Sequence, residues 1–514
     1  MIKARKRLII IIAVLICVLA ALYFAVLAPM LATPSDVVTE APVTVEGEII
    51  GNGGRYQLFE QVARADMKSI EVSNTYGTYK FVRAGSSFFI EGVSEAKYVP
   101  ELFSQLVVDC GYTLASMKVG DNITDLEKYG LDAASAPASF TVTTLSGKVH
   151  KVWIGNRITT GGGYYAMYDG RNTVYALSQT LGDTVLRPIE DFISPQLAYE
   201  TSLSTYFLVE NFTIFKGEEQ FASFRYLEEN ERNEQHTFSP FLMMYPGEGL
   251  YCPSDHLDNA LQNFVTFSGS EVVKLNPKQE HINQYFPNGY VNSVYLVSKV
   301  PKDANDYKKG YFYVENFLFF SERHTDRDGS EYYYCYSPMF KIVAKVESHV
   351  AEFLEWDLKM WVHDNIYQSS IDSVKELQFV LDNGETVTFD LTGLSQDLIV
   401  TVKETGFRPN VKNFRQLYKM LLSVNKENTH NMTDEEVNAL IADEKSHQLT
   451  MKVTMRDGNE LKYEVYNYSD RRSYYRINGK ECDFYVLRTM VNKLAEDVIK
   501  VTNDETVNAD DKYN

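Results

Sequence analysis

The chain has 514 residues, is 45% hydrophobic with 29 Phe and 35 Tyr, and carries a formal net charge of -19. That much apolar and aromatic material excludes bulk disorder and suffices for roughly two to four domains. The acidic balance excludes nucleic acid, which needs a cationic face to displace phosphate counterions, and argues against lying flat on an anionic bilayer.

The first predicted element is a membrane anchor. Leu8 to Leu27 is an unbroken apolar run, preceded by Lys3, Arg5, Lys6 and Arg7. A run of about 20 residues spans a hydrocarbon core as one helix, and the basic tip holds the N-terminus in the cytoplasm, with the rest of the chain outside. The competing reading is a cleaved signal peptide. The run exceeds the usual signal length, and the best cleavage candidate, Val26-Leu27-Ala28, is followed by Pro29. A retained anchor is therefore expected, with the lipid bilayer as partner through Leu8–Leu27. Residues 32–56, with Pro34, Pro42 and Gly51-Asn52-Gly53-Gly54, read as a tether.

From there the chain repeats itself. Strand pairs are expected from Ile70 and Val72 with Tyr79 and Phe81, and from Leu377 and Phe379 with Val387 and Phe389. Helical stripes follow at Phe103, Leu106, Val107; at Leu257, Leu261, Phe264, Val265; and at Phe414, Leu417, Leu421. Next come hairpins turning at Ser146-Gly147 and Asp457-Gly458. Tyr-rich hairpins then turn at Asp169-Gly170, Ser337-Pro338 and Asn478-Gly479. The gap from turn Gly to Tyr-Tyr is 17 residues in one copy (147 to 164) and 16 in another (458 to 474), which marks an internal repeat. A closing helix is expected in each copy: over Leu186, Ile189, Phe192 and Ile193; over Val346, Val350, Phe353, Leu354, Trp361 and Val362; and over Leu487, Met490, Val491, Leu494 and Val498. The middle copy carries an insertion around Pro301 to Gly310.

The expected fold is α+β: an N-terminal single transmembrane helix followed by tandem repeated modules of small antiparallel sheets, each covered by helices. The expected divisions are a basic tip (1–7), the transmembrane helix (8–31), the tether (32–56), modules at 57–200, 201–370 and 371–501, and a disordered acidic tail (502–514).

Catalytic motifs are wanting. The nine His residues form no metal-ligand pair at short spacing, and His363-Asp364 reads as a helix-surface pair. Asp326 to Glu331 resembles a calcium loop only faintly and reads as a hairpin turn at Asp328-Gly329, while Gly161-Gly162-Gly163 enters a strand rather than a helix and so does not cradle phosphate. No nucleophile motif opens, so neither an enzyme nor a cofactor is expected. Cys110, Cys252, Cys335 and Cys482 sit in apolar contexts and read as buried free thiols. The candidate binding residues are Tyr164, Tyr165, Tyr332, Tyr334, Tyr336, Tyr474 and Tyr475, which serve either sheet packing or a recognition surface.

Residues 65–194 resemble the bacterial domain of unknown function 4340 family. The likeness rests on Ser69-Ile70-Glu71-Val72, Leu126 to Asp132, Ile154-Gly155, Gly162-Gly163-Tyr164-Tyr165 and Val174-Tyr175-Ala176-Leu177. The resemblance implies a membrane-anchored envelope protein of the kind often encoded beside gliding-motility-type ABC transporters. It supplies no catalytic residue. The expectation is an extracytoplasmic binding or accessory protein whose partner is an ABC transporter permease. Cell-wall glycan is the alternative partner, and an envelope hydrolase the third reading.

Overall fold

The computed structural model describes residues 44–51, 54–132, 136–159, 161–199, 208–232, 239–264, 266–303 and 305–510. The expected anchor at 8–31 and the first part of the tether lie outside the described residues. Among the described residues no helix is long and apolar enough to cross a membrane.

The expectation of small sheets, each covered by helices, is overturned. Strand accounts for 40% and helix for 23%, and the strands form three large antiparallel sheets of ten, nine and eight strands. All three share one plan. In the third, the first three strands are Val374–Leu381, Thr386–Thr392 and Ile399–Val402. The helix Val411–Leu421 leads to the fourth, Lys426–Thr429. The last four are His447–Met455, Glu460–Asn467, Arg472–Ile477 and Lys480–Leu487. In space the order is third, second, first, fifth, sixth, seventh, eighth, fourth.

The second sheet repeats that order with Val209–Lys216, Glu219–Tyr226, Phe241–Tyr245, Glu271–Leu275, Asn292–Pro301, Tyr311–Phe320, Glu331–Ser337 and Ile342–Glu347, its helix being Asp255–Phe264. The first sheet repeats it with Met67–Asn74, Gly77–Ala84, Ser87–Ile90, Leu114–Gly120, Ala138–Thr144, Val149–Arg157, Tyr164–Tyr168 and Val174–Leu177, and its helix is Pro100–Gly111.

The physical reason for one large sheet per repeat is edge pairing. The helix carries the chain from the third strand, at one edge, to the fourth on the far side, which is the other edge in the second and third sheets and is followed by two short strands in the first. Strands five to eight then fill the gap, so their backbone groups find partners inside a single ladder. Alternation of apolar residues fixes the register: Ile70 faces Phe81, Val72 faces Tyr79, Leu377 faces Phe389, and Phe379 faces Val387. Asn478 and Gly479 both take positive φ, 51° and 77°, and close a two-residue hairpin of the kind that needs it. Helices supply aromatic contacts to the buried faces: Phe414 lies 5.1 Å from Phe389, and Phe264 lies 5.3 Å from Phe212.

Other expectations also change. The closing helix of the third repeat runs Arg488–Thr502 with Met490, Val491, Leu494 and Val498 buried. In the first repeat the helix is Gln179–Val185, capped by the Ser178 side chain, and Ile189–Phe192 is a short 3-10 turn. Pro188 lacks an N–H and biases the residue before it away from helix, which separates the two. In the second, Val346 belongs to a strand, and 3-10 turns and the single turn Leu358–Trp361 follow.

The described part of the tether is built into the first sheet through the short strands Ile49–Ile50 and Tyr56–Gln57, with Glu48 ion-paired to Lys118 at 2.7 Å. Nor do the described residues of the tail hang free: Val507 and Ala509 are buried, and Asp510 pairs with Lys419 at 2.8 Å. The described cysteines Cys110, Cys252, Cys335 and Cys482 are free thiols. The chain divides into two compact units, one of residues up to Phe88 with Ser104–Leu186, the other of Phe89–Phe103 with Arg187–Asn514. The second and third sheets belong to the latter.

Candidate functional site

The seven candidate tyrosines are divided over the three sheets. Tyr164 is buried and its hydroxyl donates to Asp183 Oδ1 at 2.5 Å, while half-buried Tyr165 meets Tyr129 edge-on at 4.9 Å. Tyr474 and Tyr475 are both 0% exposed, and burial pushes both hydroxyls up. These four are packing residues of their sheets. In the second sheet Tyr332 is buried and its hydroxyl lies 3.4 Å from that of half-buried Tyr334. Tyr334 also packs against Tyr285 at 4.8 Å.

Tyr336 is different, because it joins a surface. It lies half-buried across the strand pair from Phe319, at 6.3 Å. Phe319 continues to Phe317 at 6.4 Å, Phe317 to Tyr295 at 4.6 Å, and Tyr290 sits over Phe319 at 4.5 Å. The strand Tyr311–Phe320 produces this by alternation: Leu318 and Phe320 are fully buried on one face, while Phe317 on the other is 44% exposed. Toward the hairpin end Phe312 and Tyr313 are 57% and 60% exposed. This strand follows directly on the insertion expected around Pro301 to Gly310 and is absent from the expected elements, although Phe317 to Phe320 carries an apolar pattern.

A second feature had no sequence signal. Within the larger unit, a cavity of about 160 Å³ is formed by the loop Glu248–Pro253, the segment Asn365–Ser369, Lys426, and strand residues including Leu461, Tyr463 and Ile477. Lys426 is 3% exposed. Its backbone N–H donates to Asp364 O at 2.6 Å, which fixes the residue at the start of its strand. Its ammonium donates to Asn365 O at 2.8 Å and lies 5.8 Å from the Tyr251 ring. No carboxylate lies within 4.0 Å of it among the described residues. Burial brings its pKa down to about 8, with Cys252, Cys482 and Asp364 acting in the opposite direction.

Burial holds the neighbouring thiols protonated, Cys252 at about 11 and Cys482 at about 12. The Tyr251 hydroxyl donates to Asp483 Oδ2 at 2.8 Å and accepts from the Asp483 N–H at 2.6 Å. Gln368 lines the same cavity, and both polar atoms of its side-chain amide are buried without a partner. His363, half of the pair expected on a helix surface, is half-buried, and its backbone N–H donates to Cys252 O at 2.8 Å. Burial holds its imidazole below the usual value, and the Lys426 charge adds to this. Such a set can hold an anion. Among the described residues no group of three or more His, Cys, Asp or Glu is placed to hold a metal ion.

The comparison with known families meets the chain over its early part. Residues 110–234 match the family described as Domain of unknown function (DUF4340). That segment takes in five strands of the first sheet, from Leu114–Gly120 to Val174–Leu177, and the first two of the second. It begins later and ends later than the stretch that carries the sequence likeness. No curated protein matches, and no solved structure does.

Proposed function

We propose that the protein is an extracytoplasmic binding or accessory protein, held at a cell membrane through Leu8–Leu27 and making its contacts through the aromatic face of the second sheet. The observation that carries this reading is the run of packed rings from Tyr295 through Phe317 and Phe319 to Tyr336, flanked by exposed Tyr290 and, further along the same strand face, Tyr313. Exposed aromatic side chains in a contiguous row give area at low entropic cost and mark contact sites rather than random surface. The cavity supports binding over glycoside hydrolysis, since it gathers lysines, tyrosines and an amide, with Glu248 as the one carboxylate among its described lining residues.

The partner proposed first is an ABC transporter permease, on the family likeness. Gentle solubilisation and co-purification of the full-length chain test it. Recovery of a permease with the wild type, and its loss with Phe317→Ser plus Tyr313→Ser, is the expected result. Recovery of the chain alone counts against it. The hydroxyl-bearing rings Tyr290, Tyr295 and Tyr336 favour a second reading, cell-wall glycan stacked on the same face. Sedimentation with isolated wall, lost in the same double variant, would select glycan.

A further inference from the structure

We propose that the cavity at Lys426 binds a small monocarboxylate, with the ammonium of Lys426 and the side-chain amide of Gln368 as the donors. This goes beyond the contact surface described above and uses none of its residues.

The cavity is lined by hydrogen-bond donors without acceptors. Lys426 carries three N–H groups, and one is spent on Asn365 O at 2.8 Å. No other acceptor lies within hydrogen-bond distance of the ammonium among the described residues. Gln368 contributes an amide with both polar atoms buried and unpartnered. Buried polar groups in native proteins are paired, so the remaining N–H groups of Lys426 and those of the Gln368 amide, lining one cavity, ask for an acceptor.

Charge makes the same demand. A buried ammonium without a counterion either sheds its proton or takes up an anion. The first response is already visible, since burial lowers Lys426 to about 8. The protein supplies no close anion. Cys252 and Cys482 are protonated, Asp364 touches Lys426 through its carbonyl, and the Asp483 carboxylate is occupied by Tyr251. Glu248 and Lys480 are exposed lining residues, and the Lys480 ammonium donates to the Glu248 backbone carbonyl at 3.1 Å.

The ligand class follows from the donor set. No arginine lines the cavity, so the multiple donors that a phosphate dianion requires are missing. One ammonium and one amide suit a single charge shared over two oxygens. Leu250, Leu461, Ile477 and the rings of Tyr367 and Tyr463 would enclose a short apolar tail. At about 160 Å³ the cavity limits that tail to a few atoms.

Binding of the anion to the charged form of Lys426 draws in a proton wherever the free site is partly neutral. Of the other titratable groups facing it, Cys252 and Cys482 stay protonated at pH 8, and His363 is held neutral above its lowered pKa. Calorimetric titration of the full-length protein with sodium propionate, in buffers of differing ionisation enthalpy, is the test. A saturable heat is expected, with uptake of about half a proton per site at pH 8 and almost none at pH 6. Inorganic phosphate at equal ionic strength should give no saturable heat.

Lys426→Met keeps the stem and removes the charge, and is expected to weaken propionate at least about tenfold; Gln368→Leu should cost about threefold. If Lys426→Met fails to fold, protection of Lys426 in the wild type from reductive methylation by propionate replaces it. The proposal is overturned by absent propionate heat, by binding without the pH-dependent uptake, by phosphate binding in preference, or by unchanged affinity in Lys426→Met.

Discussion

Asp497 shows how strongly a single buried charge can be committed to structure. It is 0% exposed on the helix Arg488–Thr502, and both of its oxygens accept from Lys493 at 2.7 Å, with Lys500 at 3.6 Å. Removing one partner of a buried pair leaves the other charge uncompensated. Asp497→Ala is expected to cost about 3 kcal/mol in chemical denaturation, at the low end because Lys493 is near enough to the surface to reach water. Double substitution with Lys493→Met should recover part of that loss. Gly163 is the backbone counterpart. It takes φ +138°, and a Cβ there would sit 1.8 Å from Leu177 O. Gly163→Ala should cost about 3 kcal/mol or more, whereas Gly170→Ala, at φ +82° with open space around it, should cost about 1 kcal/mol.

At the scale of elements, the C-terminal segment behaves as part of the third repeat. Val507 and Ala509 are buried, the Ala509 N–H donates to Gln416 Oε1 at 3.2 Å, and Asp504 Oδ1 accepts from the Asn410 N–H at 2.9 Å. Asn410 also caps the helix Val411–Leu421, so the tail and the helix start are fastened together. Truncation after Asp504 should lower stability by about 2 kcal/mol, the worth of one buried aliphatic side chain, measured by denaturant midpoint with an unchanged m value. Acidic composition alone suggested fraying, because charge and polarity were visible in the sequence and the apolar seat for Val507 was not.

For the molecule as a whole, stability should depend on pH through imidazoles that folding withdraws partly or wholly from water. Burial holds His150, His363 and His447 below the usual value, with Glu60 and Glu464 only partly opposing this for His150 and His447. A base whose pKa is lower in the folded chain takes its proton first in the unfolded one. Stability is therefore whole above the unfolded value near 6.5 and falls as pH drops from there toward the folded values. Denaturant midpoints at pH 7.5 and 5.5 should differ in that sense, and His447→Gln should reduce the difference. An equal midpoint at the two pH values would refute the assignment.

Much of the architecture was written locally. The pairing of Ile70 with Phe81 and of Leu377 with Phe389 follows from alternation, and the Asn478-Gly479 turn from positive φ at low cost. The short 3-10 turn at Ile189–Phe192 shows the limit: an apolar stripe of helical spacing is present, but Pro188 and the Ser178 cap set the helix about two turns earlier. The Tyr strands were found, yet which tyrosines face solvent depended on neighbours.

The strand pairs around Ile70 and Leu377, the hairpin turns, the helix after the third strand of each repeat and the spacing common to the copies are legible in the sequence, because they depend on residues close along the chain. Tertiary structure alone decided that each copy closes into one large sheet, since edge strands choose partners far away in sequence. It alone exposed Phe317 beside Tyr336. It also made Lys426 a buried cation, by bringing Tyr251, Asn365 and Cys482 around a residue whose own neighbourhood, Val424 to Asn428, gives no sign of burial.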